Sequence, residues 1–229
     1  MSTLNPEQTR AVEYAGPAQH LLVLAGAGTG KTTTIVQRVA HLVRGGTKPE
    51  RILLLTFSRR AAKEMRGRLV ASLGPVTDRL TVGTFHSFCW EVISRIPKTF
   101  GVQAATIIDR DDATSLVTLA RSERVEKSEK DFPKAGQIGD WMSYARNCMK
   151  PLDEYLAEFT EVPEEWAVRV VAIAEAYTAK KRERHYIDYD DMLELVVRGL
   201  EKSEALRAQM RSLYAHILVD EMQDTNPVQ

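Results

Sequence analysis

Short apolar runs of strand length punctuate this chain: Leu21 to Leu24, Ile52 to Thr56, Leu80 to Val82 and Ile217 to Val219. Each of the first three is followed by a helical pattern, which predicts βαβ units and a parallel sheet. After the first run, Ile35, Val36, Val39, Leu42 and Val43 recur at helical spacing. From Asp109 onward the pattern is helical, and Trp166, Val170, Ile173, Ala174 and Tyr177 form an amphipathic stripe suited to a small bundle. The run at Ile217 then returns the chain to the sheet. The pattern predicts an α/β fold with a parallel sheet, formed by residues 1–96 and 187–229, and an inserted α-helical subdomain over 97–186.

The first run joins directly to a glycine-rich loop, and LLVLAGAGTGKTT at Leu21 to Thr33 reads as a phosphate-binding P-loop. Glycines at 26, 28 and 30 let the backbone turn tightly and aim successive N–H groups inward at the start of the next helix. Lys31 can then reach the β and γ phosphates, and the Thr32 hydroxyl can bind an accompanying Mg²⁺. Ala25 takes a position where the common pattern has glycine; the inner glycines do the turning.

A P-loop needs a second group on the metal side. A buried parallel strand at Ile217, Leu218 and Val219 would deliver Asp220 and Glu221 at its carboxyl end, where nucleotides bind in open α/β sheets. Asp220 would hold Mg²⁺, and Glu221 would polarise the attacking water. Asp188, Asp190 and Asp191 have no histidine or cysteine at ligand spacing nearby, so capping of a helix N-terminus accounts for them better than a metal site.

The motifs together resemble the UvrD/Rep-like helicases of superfamily 1. LNPEQ at Leu4 to Gln8 resembles that family's Q motif, and AGAGTGKTT its motif I. LLLTFSRRAAKEMRGRL at Leu53 to Leu69 resembles motif Ia, and VGTFHSFC at Val82 to Cys89 motif Ib. IDYDDML at Ile187 to Leu193 is similar to the acidic segment that re-enters the first motor domain, and VDEMQDTN at Val219 to Asn226 to motif II. These matches follow the family's order, whereas residues 97–186 hold no nameable motif.

The resemblance implies a RecA-like motor domain and an ATP-dependent DNA helicase with ATP and Mg²⁺ as cofactors. It implies that Gln8 reads the adenine and that Ala27, Gly28, Thr29, Gly30, Lys31, Thr32 and Thr33 form the nucleotide cradle. Lys31, Glu221 and Gln223 would be catalytic, with Gln223 sensing the γ-phosphate, and Thr32 and Asp220 would hold the metal. Thr56, Phe57, Thr84, Phe85 and His86 match family positions near single-stranded DNA. Thr33 departs from the family's usual arginine, Arg59 and Arg60 from Asn-Lys, and Met222 from an aromatic. The implied partners are single-stranded DNA and duplex junctions, with repair or replication proteins beside them, and the implied direction is 3′ to 5′. The sequence stops just past motif II, so the expectation is an N-terminal piece that binds nucleotide and DNA weakly and does not unwind. A helicase–nuclease repair subunit and a non-catalytic ATP-gated interaction module remain open alternatives.

Composition narrows this little. The 229 residues carry 31 basic and 31 acidic side chains, a neutrality that neither demands nor excludes nucleic acid. Charge does cluster locally, at Arg59, Arg60, Lys63, Arg66 and Arg68 and again at Lys180, Lys181, Arg182 and Arg184; a solvated helix face explains either cluster taken alone. Cys89 and Cys148 have no metal-ligand spacing, so reduced thiols are expected. With neither a secretory signal nor an apolar run of membrane-spanning length, a cytoplasmic location is the expectation; the oligomeric state is not read from the sequence, and a monomer is the default. In TFHSFCW, Phe85, Phe88, Cys89, Val92, Ile93 and Ile96 share one helical face and read as core, while His86 and Trp90 lie off it.

Overall fold

The computed structural model describes residues 4–16 and 20–229. Residues 1–3 and 17–19, which the expected segment 1–96 includes, lie outside the described residues. In chain order the elements begin with α1 (Pro6–Glu13), α2 (Lys31–Arg44), β1 (Ile52–Thr56), α3 (Arg59–Leu73), β2 (Thr81–Thr84), α4 (Phe85–Arg95) and α5 (Pro97–Phe100). They continue with β3 (Thr106–Ile107), α6 (Arg110–Ser122), α7 (Ala135–Asn147), α8 (Leu152–Phe159), α9 (Glu164–Glu183) and β4 (Tyr186–Ile187). Last come α10 (Tyr189–Lys202), α11 (Glu204–Leu213) and β5 (His216–Val219). Two compact units result, one of residues up to Ser87 with Glu204–Thr225, the other of Phe88–Ser203 with Asn226–Gln229.

The first unit is built on a parallel three-stranded sheet in the order β2-β1-β5. Leu53 to Thr56 pair with Thr81 to Thr84, and Ile52 to Leu55 pair with His216 to Val219. The central strand β1 is buried throughout, as its unbroken ILLLT run requires of a parallel strand covered on both faces. Ile52 and Leu54 pack with Val36, Val39 and Leu42 of α2 and with Met65 and Leu69 of α3. Each fully buried aliphatic side chain there contributes about 1.5–3 kcal/mol. Helix α1 starts with Pro6 in its first turn and a capping box: Gln8 N donates to Asn5 Oδ1, and Asn5 N donates to Gln8 Oε1.

Two sequence expectations are corrected here. Leu21 to Leu24 is not a strand, and its side chains are 45–87% exposed. A parallel strand exists only where a neighbour takes up its backbone groups, and this run pairs with none of the described strands. β5 does form at the predicted place, but Ile217 is 62% exposed because the strand lies at the sheet edge with one face uncovered.

The second unit is helical. Its core gathers Leu116, Val117 and Ala120 of α6, Ile138 and Met142 of α7, Leu156 of α8, and Val170, Ile173 and Tyr177 of α9. Trp166 and Ala174 pack against this cluster, so the predicted stripe on α9 faces the core. The short strands β3 and β4 pair in parallel. The sequence reading ends the helical insert at 186, whereas α10 lies within the helical unit. Its first turn accounts for that: Asp188 and Asp191 are ion-paired to Lys181 of α9 and Arg146 of α7.

Candidate nucleotide site

In the first unit, the loop before α2 bends through left-handed glycines, Gly28 at φ +74° and Gly30 at φ +90°. The positive φ favours glycine at 30, and a Cβ there would lie 2.8 Å from Gln8 Nε2 and displace that amide. Thr29 Oγ1 donates to the Gly26 carbonyl at 2.8 Å and stiffens the turn. Gly30 is the N-cap of α2 and no side chain caps it, so the first N–H groups of the helix lack acceptors within it. An uncapped helix start behind a left-handed glycine turn is a receptor for an anion.

The groups around this cradle are held by the chain's own atoms. Lys31 Nζ donates to the Ala25 carbonyl at 3.4 Å and lies 3.7 Å from Glu221 Oε2. Gln8 Nε2 donates to the Thr29 carbonyl at 2.9 Å, so the first turn of α1 is tied to the loop. Thr32 and Thr33 are half-buried in the first turn of α2.

The carboxyl end of the sheet supplies the acidic side. Asp220 N donates to the Leu55 carbonyl at 2.9 Å, which carries the β5 register one residue past the strand. The Asp220 side chain is buried, and burial together with the neighbouring Glu221 carboxylate pushes its pKa up, with Lys31 opposing. Such a carboxylate is stabilised by a cation, so the donor set suits a metal held by oxygen ligands. Glu221 sits in the left-handed region at φ 52° and ψ 50°, a conformation that costs a non-glycine residue about 1 kcal/mol. Gln223 Nε2 donates to Glu221 Oε2, so the strained carboxylate is gripped from both sides, by Lys31 and by Gln223.

The sequence profile of the UvrD/REP helicase N-terminal domain matches residues 4–229. The chain belongs to this family. It is 31% identical over 229 residues to the ATP-dependent DNA helicase UvrD1 of Mycobacterium tuberculosis, covering 99% of this chain and 29% of the relative. It is 31% identical to the ATP-dependent DNA helicase PcrA of Bacillus subtilis, over 100% of this chain and 30% of the relative. Against the ATP-dependent DNA helicase Rep of Escherichia coli the identity is 32%, over 99% of this chain and 33% of the relative. The chain thus spans about a third of the length of these relatives.

Of the positions that resemblance sets near single-stranded DNA, this UvrD/REP domain buries Thr56, Thr84 and Phe85. Their side chains are closed to a stacking base. Thr56 and Thr84 pair across β1 and β2 at the carboxyl edge. Thr84 and Ser87 also hold each other through reciprocal backbone and hydroxyl hydrogen bonds at the start of α4. Phe57 is 59% exposed, with Arg59, Arg60 and Lys63 exposed just after it, and His86 is half-buried. A ring followed by cations at the sheet's carboxyl edge suits a base and its phosphates.

The other charged clusters separate clearly. Asp188 caps α10 in a capping box with Asp191, as the acidic run predicts. Among the described residues no group of three or more potential ligands could hold a metal ion. Lys181 is not on a solvated face: it is buried against Asp188 and Asp191. Arg146 stands 3.4 Å from Asp188 and 3.3 Å from Asp191, and the Tyr177 hydroxyl donates to Asp188 at 2.7 Å. Burial alone would raise the Asp188 pKa, but Lys181 and Arg146 outweigh it and hold the carboxyl well below the usual range. The acidic run signals Asp188 in the sequence; Arg146, 42 residues earlier, carries no local signal. Among the described residues no helix is long and apolar enough to cross a membrane.

Proposed function

We propose that this chain is the ATP-binding motor half of a DNA helicase that couples hydrolysis to 3′ to 5′ movement along single-stranded DNA, in repair or replication. One observation carries the reading: the uncapped, glycine-turned start of α2 and the Asp220–Glu221 pair lie together, linked by the Lys31–Glu221 contact. On this reading ATP enters the cradle, and Lys31 exchanges Ala25 and Glu221 for phosphate oxygens. Gln8 presents its amide to the adenine, while Ala27 to Thr33 wrap the phosphates. Thr32 and Asp220 would hold Mg²⁺, which when bound neutralises phosphate charge. Glu221 Oε2 takes a proton from the water that attacks the γ-phosphorus as the bond to the β-phosphate oxygen breaks. Gln223, already bonded to Glu221, reports on the γ-phosphate. Phe57 and His86, with Arg59 and Arg60, contact the strand.

The relatives are about three times as long as this chain, and on this reading strand separation draws on that additional length. Cations supplied from outside a nucleotide site are worth about 10³ to 10⁵ in rate in related enzymes. The test measures phosphate release and strand separation by these 229 residues on a duplex with a single-stranded tail. The expected result is slow phosphate release that Glu221→Gln abolishes, with no strand separation. Robust unwinding by this chain alone would overturn the division of labour, and release unaffected by Glu221→Gln would overturn the assigned base.

A further inference from the structure

Away from the nucleotide site, the helical unit carries an exposed aromatic ladder that the motor reading does not use. Tyr144 of α7 stacks on Tyr155 of α8 with centroids 6.5 Å apart, and Tyr155 stacks on Phe159 at 5.1 Å. Tyr155 and Phe159 are one helical turn apart, which puts both rings on one face. Tyr144 is 56% exposed and Phe159 54%, with Met149, between the two helices, at 52%. Core needs do not account for these rings, since Leu156 alone among the α8 residues is buried.

The sequence through α8 and into α9 is one-sided in charge. Residues 151–168 hold six carboxylates, Asp153, Glu154, Glu158, Glu161, Glu164 and Glu165, and no lysine, arginine or histidine, in a chain that is neutral overall. All six are exposed. Glu154 and Glu158, on the same helix as Tyr155 and Phe159 and directly preceding them, repel a phosphate backbone within a Debye length of about 8 Å, so nucleic acid is disfavoured here although the rings would suit bases. Lys150 displays the chemistry that fits: its ammonium lies 5.1 Å over the Phe159 ring and pairs with Glu158. A cation on an aromatic face beside a carboxylate is what a basic peptide would repeat along the rest of the ladder.

We infer that the Tyr144–Tyr155–Phe159 face of α7 and α8 is a docking surface for a partner protein, through a basic segment with apolar anchors between its lysines or arginines. Apolar anchors would pack on Met149 and the ring edges, and the cations would take the open ring faces and the carboxylates. The inference is independent of the nucleotide site, so the two stand or fall separately.

The test is fluorescence anisotropy of a labelled short peptide alternating Lys or Arg with Leu and Trp, titrated with the whole chain. A peptide with Glu in place of its basic residues and an oligo-dT are the comparison probes. Binding of the basic peptide is expected, weakening about tenfold in Phe159→Ser and likewise in the Glu154→Lys/Glu161→Lys double variant. These substitutions fall at exposed positions, and unchanged circular dichroism is the check on folding. Neither variant is expected to change the binding of oligo-dT or of an ATP analogue. Basic-peptide binding that is absent, or that neither variant weakens relative to the parent chain, would overturn the inference. Oligo-dT binding that falls in Phe159→Ser and rises on charge reversal would overturn it in favour of a nucleic-acid face.

Discussion

At the scale of single residues, the side chains of the candidate nucleotide site hold one another. Lys31 rests on Ala25 and Glu221, and Gln8 uses both ends of its amide, one on Asn5 and the other on Thr29. On the proposed reading a nucleotide would replace contacts already made, and that exchange would link arrival of the ligand to release of Glu221. Asp220 carries the opposite signature, a buried carboxylate whose charged form the fold disfavours. Its raised pKa means the folded state holds that proton more tightly than the unfolded state, so ionised Asp220 costs stability as pH rises. Asp220→Asn is accordingly expected to leave the thermal midpoint at pH 7 unchanged or raised by a few degrees, about 1 kcal/mol or less, while Mg²⁺-dependent tightening of ATP binding is lost. A fall of the midpoint by about 5 °C would show that the carboxylate supports the fold instead. Gly28, Gly30 and Lys31 were legible in the sequence because the turn chemistry is local. The Gln8–Thr29 hydrogen bond spans 21 residues and leaves no trace in periodicity.

At the scale of elements, the ion-paired junction of α7, α9 and α10 is the most consequential feature outside the nucleotide site. Lys181 and Arg146 neutralise Asp188 and Asp191 where water is largely excluded. Removing one partner from a buried set strands the other's charge, which typically costs about 3 to 5 kcal/mol. Lys181→Met is expected to destabilise the helical unit by that amount in urea unfolding, against less than about 1 kcal/mol for Lys180→Met, whose partner Glu123 is exposed. The depressed Asp188 pKa adds a pH signature. Its stabilisation is fully present above the unfolded value near 4 and is lost as pH falls below that toward the folded value. Equal destabilisation by the two lysine variants, or no acid loss below about pH 4, would contradict this account.

Elements were legible in the sequence where one pattern decided them. The apolar stripe of α9, the acidic cap of α10 and the buried run of β1 all follow from local residues. Leu21 to Leu24 reads as a strand by composition alone, yet strand state depends on a pairing neighbour, which no window of residues contains. Likewise Thr56, Thr84 and Phe85 match exposed-site positions by motif, while their burial depends on tertiary packing that no local motif encodes.

At the scale of the whole molecule, neutrality conceals a division of charge. Arg59, Arg60 and Lys63 follow the exposed Phe57 in the first unit, whereas the exposed carboxylates of residues 151–168 run through and beyond α8, the helix that carries Tyr155 and Phe159. On these two proposals the same mixture of aromatic and charged residues would meet a phosphate backbone in one unit and a basic peptide in the other. The proposed motor role rests on a first unit that folds with a working P-loop. The most direct test of that is equilibrium binding of a fluorescent ATP analogue with Mg²⁺ to the chain and to Lys31→Ala. The account predicts saturable binding to the chain, weakened at least about tenfold in the variant, and weakened again when Mg²⁺ is removed. Equal binding by the two proteins, or none to either, would contradict the claim that Gly26 to Thr33 and Asp220 form an ATP site in these residues.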